Sequence, residues 1–178
     1  MKYLILLFCL STSCFAFDGN RPGLQFSFGA GAGKLDAEFS ENKKLNETTL
    51  TYAVKIGYGF GNRFSVFLEK ESRIYEYLGE DILNEITGVG AKLYLTPRFF
   101  IFGAGGIGGF MNDISIDISK AAIGTGYFYG LGFEIFKNMS LELTQSKLSI
   151  DQSELDKDNI VSPIEQTSTN LMLMINFF

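Results

Sequence analysis

The sequence predicts an all-β fold: an eight-stranded antiparallel up-and-down transmembrane β-barrel. Three observations lead there. Beyond residue 16 the chain alternates apolar with small or polar residues at a period of two, which is the strand signal. Eight such segments are joined by connections that run alternately long and short. The face opposite the apolar one is built largely of Gly, Ser, Thr, Lys and Glu, which suits a lumen when the apolar face meets lipid.

The chain has 178 residues, 46% hydrophobic and 15% aromatic, with 20 glycines and a formal charge of −5. That length suits one domain. Its aromatic and β-branched content argues against disorder. The acidic balance argues against a nucleic-acid partner, whose phosphates need a basic face. There is no histidine, which removes the commonest general base and metal ligand. No cofactor or metal site is expected.

Residues 1–16 read as a signal peptide. Lys2 gives the positive start, Tyr3 to Leu10 the apolar run, and Cys14-Phe15-Ala16 a small-x-small cleavage site. Both cysteines, Cys9 and Cys14, fall in this leader. A lipoprotein anchored at Cys14 ranks second, because Ser11-Thr12-Ser13 lacks the aliphatic residue of such sites. Cleavage after Ala16 leaves a barrel domain, residues 17–178, with a net charge of −6.

Eight segments follow in order. The first alternates Leu24, Phe26, Phe28, Ala30 and Ala32 with Gln25, Ser27 and glycines; the second, Leu50 to Phe60, sets Tyr52, Val54, Ile56 and Tyr58 against Thr51, Ala53 and Lys55. The third opposes Phe64, Val66 and Leu68 to Ser65, Phe67, Glu69 and Glu71, and the fourth Val89, Ala91, Leu93 and Leu95 to Gly88, Gly90, Lys92 and Tyr94. The fifth, Phe99–Met111, is apolar or glycine throughout, so its facing stays open. The sixth opposes Tyr127, Tyr129, Leu131, Phe133 and Ile135 to glycines, Phe128 and Glu134. The seventh opposes Met139, Leu141 and Leu143 to Ser140, Glu142 and Thr144; the eighth opposes Leu171, Leu173, Ile175 and Phe177 to Asn170, Met172, Met174 and Asn176.

Short turns are expected at Gly61-Asn62-Arg63, Thr96-Pro97-Arg98 and Lys137-Asn138-Met139. Long polar connections are expected at Leu35–Thr48, Glu76–Glu85, Met111–Ala121 and Ile150–Gln166. This alternation suits a membrane barrel with short turns on one rim and long loops on the other. A closed barrel also satisfies every strand N–H and C=O without an exposed edge. A soluble, lipocalin-like barrel would put the apolar face inside.

The pattern resembles the small eight-stranded outer-membrane barrels of Gram-negative bacteria, the porin-like group that contains the transmembrane domain of outer membrane protein A. The terminal Asn176-Phe177-Phe178 resembles the aromatic signal read by the barrel-assembly machinery, with Phe178 as its last residue; Asn176 departs from the apolar residue usual there. No Trp fills the interfacial girdles, leaving Phe and Tyr for that role. The resemblance implies location in the cell outer membrane and contact with outer-membrane lipid and lipopolysaccharide. The enzymes among such barrels use a catalytic His, which this chain lacks, so no enzymatic activity is expected.

Strand parity collects Lys55, Arg73 and Lys92 with Glu69, Glu71, Glu134 and Glu142 in the lumen. Counting outward from the turn at Asn62 sets Lys55 opposite Glu69, a cross-strand ion pair. The same count about Asn138 sets Glu134 opposite Glu142, like charges that need a cation from across the barrel. Paired carboxylates can do acid–base work, but a catalytic dyad needs an open cleft. A salt-bridged plug is favoured over catalysis, and over a conducting pore into which lumenal glycines would admit water.

Lys34, Lys70 and Lys147 fall on the lipid-facing frame near the long loops. Snorkelling to the interface and contact with lipopolysaccharide phosphates are compatible readings of these three. The four long connections carry −2, −4, −1 and −4, a net −11 on one rim. Solvation of surface loops explains this charge, with divalent-cation bridging as the alternative. Two glycine strings mislead. Gly103-Ala104-Gly105-Gly106-Ile107-Gly108 lacks the helix a dinucleotide site needs, and Gly29 to Lys34 lacks the Ser/Thr of a phosphate loop. The expected function is non-enzymatic: a monomeric barrel with a structural or surface-interaction role through acidic extracellular loops. The alternative is a narrow passive channel for small or cationic solutes.

Overall fold

The computed structural model describes residues 21–39, 43–77, 80–112, 122–150 and 164–178. The expected leader lies outside them, as do residues 40–42, 78–79, 113–121 and 151–163 of the long connections. Eight strands form: β1 (Gly23–Phe39), β2 (Lys43–Gly59), β3 (Phe64–Tyr77), β4 (Glu80–Tyr94), β5 (Phe99–Asn112), β6 (Ala122–Phe136), β7 (Met139–Ile150) and β8 (Ile164–Phe177). Each pairs antiparallel with the next, and β8 pairs with β1 to close the barrel.

Directly opposed residues lead around the wall from Lys34 through Thr169, Gln145, Tyr129, Gly103, Ala91, Val66 and Tyr58 back to β1 at Leu24. The return falls ten residues from the start, so the strands are staggered and tilt by about 35–45° to the barrel axis. The β2–β3 hairpin turns through Gly61, whose φ of +131° favours glycine. There the Phe60 N–H donates to the Phe64 carbonyl at 2.9 Å.

Along the half of each strand nearer the short turns, apolar side chains point outward. Phe26, Phe28, Tyr52, Val54, Ile56, Tyr129, Leu131, Leu143, Leu171 and Leu173 are all exposed, forming a band for lipid. Strand β5 joins this scheme with Phe100 and Phe102 inward and Ile101 and Ile107 outward. Its facing is hidden in the sequence because glycines stand on both faces, Gly103 and Gly105 outward, Gly106 and Gly108 inward.

Toward the long-loop end the polarity inverts without a break in the strands. Lys34, Asp36, Glu38, Asn46, Thr48, Glu76 and Asp81 point outward, while Leu35, Tyr75, Ile82, Ile86, Leu148 and Ile150 pack together inside. This corrects the sequence expectation for two connections. Most of Leu35–Thr48 and Glu76–Glu85 is strand, because β1 to β4 run on to Phe39, from Lys43, to Tyr77 and from Glu80. A tilted strand needs about 9–11 residues to cross the hydrocarbon, and β1 and β2 have 17 each. The excess forms a collar packed like a soluble barrel, apolar inside and polar outside.

Candidate functional site: a charge-filled lumen

At the short-turn mouth, Arg21 enters the lumen just ahead of β1. Its guanidinium donates to Glu134 (Nη2 to Oε2 at 2.8 Å, Nε to Oε1 at 3.3 Å) and to the Asn62 carbonyl at 3.0 Å. It also donates to the Pro97 carbonyl, so one side chain ties the β2–β3 turn, the β4–β5 turn and β6 together. The Arg21 guanidinium lies 3.8 Å from the Tyr94 ring centre, and the Tyr94 hydroxyl donates to Glu134 at 2.6 Å.

Midway up, Lys55 lies 3.1 Å from Glu69, its partner across β2–β3. It also reaches across the barrel to donate to Glu142 at 2.6 Å. Lys92 stands 3.8 Å from Glu142. Both lysines sit over aromatic faces, Lys55 at 4.3 Å from the Phe102 centroid and Lys92 at 4.4 Å from that of Phe100.

Glu134 and Glu142 are not opposed. Glu134 faces Ser140, and Glu142 faces Gly132, because the turn pairs Phe136 with Met139 instead of centring on Asn138, and an irregularity between Glu134 and Phe136 shifts the β6–β7 register by one residue more. That shift sends the two carboxylates to separate cations, Arg21 and the Lys55–Lys92 pair.

Further up, Arg73 on β3 pairs with Glu71 and donates to Ser146 at 2.6 Å and Asn84 at 3.2 Å. Asn170 donates to Glu71 at 2.9 Å and accepts from Thr51 at 3.1 Å. Ser146 and Ser168 share a hydrogen bond at 2.7 Å, and Asn84 donates to Gln166. The network thus spans the lumen from one wall to the other.

Sequence parity brought together seven of these charges and set Tyr94 and Asn170 on the same inward face, but omitted Arg21, and with it Asn84 and Gln166. A signal for Arg21 was present. Three lumenal cations against four carboxylates left one carboxylate over, and counting back from Gln25 and Ser27 puts Arg21 on the same inward frame. Among the described residues, four buried cations (Arg21, Lys55, Arg73, Lys92) now face four buried carboxylates. We expect Arg21→Ala to lower stability by about 3 kcal/mol, since a buried carboxylate loses its cation; chemical unfolding in vesicles would measure this.

The remaining lumen is filled by rings, and three inward glycines make room for them. A Cβ on Gly132 would overlap the Phe100 ring, one on Gly130 would come within 2.7 Å of Phe102, and one on Gly90 within 2.7 Å of Phe67. At these positions the glycines accommodate aromatic rings, contrary to the expectation that lumenal glycines leave room for water. The arrangement can hold charge and resist collapse.

On the outer face Lys70 lies 2.9 Å from Glu85 and Lys147 2.8 Å from Glu165. Lys34 is exposed between Thr48 and Thr169 on the flanking strands. Phe178 follows β8 at the short-turn rim and is exposed. Asn176 is polar because it faces the lumen, where it donates to Ser140 at 3.1 Å and accepts from Ser27 at 2.8 Å.

No family profile and no curated protein matches the chain. Among solved structures it is similar to Neisserial surface protein A, with 14% identity, 85% of this chain and 97% of that one covered, and a TM-score of 0.58. It is similar also to Ail, the attachment invasion locus protein of Yersinia pestis, with 14% identity, 87% and 99% covered and a TM-score of 0.59. A second Ail structure, in complex with the heparin analogue sucrose octasulfate, matches with 16% identity over 87% and 99% and a TM-score of 0.58. The fold is therefore that of the small eight-stranded outer-membrane β-barrels.

Proposed function

We propose that this chain is a non-enzymatic barrel of the outer membrane that acts at the cell surface through its acidic long-loop rim. The observation that carries this reading is the filled lumen. Three cation–carboxylate sets and the rings of Phe67, Phe100, Phe102 and Phe128 occupy the interior, leaving the outer rim as the surface able to meet a partner. A leader cleaved after Ala16 would export the chain, and Phe178 would present it to the assembly machinery. Net negative charge on that rim disfavours polyanions and favours cationic or cation-bridged partners. Lys34, together with the paired Lys70 and Lys147, stands where lipopolysaccharide phosphates would lie.

A second reading, the narrow channel for small or cationic solutes, draws on polar atoms in the same lumen. Ser65 Oγ, Thr144 Oγ1, Glu71 Oε2 and Arg73 Nε are buried without a hydrogen-bond partner, and water would satisfy them. Planar-bilayer recording separates the two. The plugged barrel is expected to give no steady conductance steps; regular steps in the wild-type protein would establish the channel instead. Outer-membrane fractionation with heat-dependent gel mobility tests the premise both share.

A further inference from the structure

The polarity switch on the outer wall is uneven around the barrel. One rung of directly opposed, outward-facing residues runs Lys70, Thr87, Ile107, Thr125, Ser149, Glu165 and Glu38. Ile107 is the one apolar residue of these seven; past Lys70 the rung drops to Val54 on β2, within the lipid-facing band. The next outward position on β6 toward the loops is Ile123. These two are 63% and 65% exposed, and Val89 just below them on β4 is 69% exposed. The rung slopes with the strand stagger, so Lys70 lies nearer the short turns than Ile107 and is nonetheless charged. Depth alone therefore does not explain the isoleucines.

Strands β5 and β6 carry one charged side chain between them, Glu134, which points inward at the opposite end. On the other six strands the outer face turns polar at Lys34, Thr48, Lys70, Thr87, Gln145 and Thr169, with only the half-buried pair Ile74 and Leu83 beyond Lys70 and Thr87; on β6 Thr125 is polar, but the more exposed Ile123 follows it. An exposed apolar strip costs free energy in water in proportion to its area. This strip is continuous with the lipid-facing band through Val89, Tyr127 and Tyr129, and that continuity identifies what covers it.

We propose that acyl chains of the outer leaflet cover Ile107 and Ile123, so that the hydrocarbon boundary climbs higher on the β5–β6 side than elsewhere on the wall. The barrel then sits tilted, or draws thicker lipid to that side. The inference rests on the membrane reading given above.

The chain has no tryptophan, so a single introduced Trp reports its own surroundings. Full-length Ile107→Trp, Ile123→Trp, Thr167→Trp and Leu173→Trp variants would be reconstituted in phosphatidylcholine vesicles, plain or brominated near the glycerol end of the acyl chains. Blue-shifted emission and strong bromolipid quenching are expected at Ile107→Trp and Ile123→Trp, approaching the values at Leu173→Trp. Red-shifted emission quenched by aqueous iodide is expected at Thr167→Trp. Iodide quenching at both isoleucine positions equal to that at Thr167→Trp would overturn the proposal. The two positions report independently should one variant fail to fold. Aqueous exposure at Leu173→Trp as well would instead overturn the membrane reading itself.

Discussion

Replacing Glu142 with glutamine is expected to destabilise the barrel by about 3–5 kcal/mol, the usual cost of removing one partner from a buried ion pair. Glu142 accepts from Lys55 at 2.6 Å and lies 3.8 Å from Lys92. Without its charge, Glu69 is the one carboxylate left in contact with Lys55, and Lys92 loses its ion-pair partner. Cation–π contact with Phe100 and Phe102 offsets only part of that loss, since such contacts contribute about 0.5–2 kcal/mol. The double variant Glu142→Gln with Lys92→Met restores neutrality while leaving the Lys55–Glu69 pair, and is expected to be more stable than Glu142→Gln alone. Urea unfolding in vesicles, run as a double-mutant cycle, measures the coupling. Equal midpoints for the single and double variants would show that the charges do not act as a set.

Gly31→Val is expected to have the other large effect, a loss of about 3 kcal/mol or more, or failure to fold. A Cβ at Gly31 would overlap the Leu171 carbonyl oxygen and come within 2.7 Å of the Met172 Cα. Both are backbone atoms of β8, so no side-chain rotation relieves the clash; β1 and β8 must separate. Gly105→Ala is the matched control. A Cβ there meets nothing within 4 Å, and the change is expected to stay within about 0.5 kcal/mol. Refolding yield, read as the heat-sensitive compact band on a gel, distinguishes the two. Equal yields would refute the close approach at the β1–β8 seam.

Both predictions depend on facing, and facing was the most legible property of the sequence. Alternation alone placed Glu69, Glu71, Lys92 and Glu142 inward and Phe28, Tyr52 and Leu173 outward, because lipid and lumen impose opposite demands on neighbouring residues. The Lys55–Glu69 register could be counted because the hairpin at Asn62 is regular. The count failed at Glu134 because the turn pairs Phe136 with Met139 instead of centring on Asn138, and because an irregular position before Phe136 adds a residue, neither of which leaves a mark in composition. Facing in β5 was illegible for a different reason: glycine on both faces erases the contrast on which parity depends.

The collar was misread as loop because its surroundings change while its backbone does not. At Lys34 the outside becomes water and the apolar residue moves indoors, so a rule tuned to lipid sees the strand end. Glu71 and Arg73 were placed in the lumen and Asn170 on the inward face, but their partners Asn84 on β4 and Ser146 on β7 were not. A pattern along one strand says nothing of which residues meet across a barrel.

The pairing of β1 with β8 joins the first and last strands of the barrel, Gly23–Phe39 and Ile164–Phe177. Until that last seam forms, two strand edges present open backbone donors and acceptors, which hydrocarbon does not tolerate. A ribosome or translocase delivers β1 first and β8 last, so the earliest strand must wait for the latest. The seam is thus the pairing of highest contact order in the barrel, and closure couples the first strand to the last.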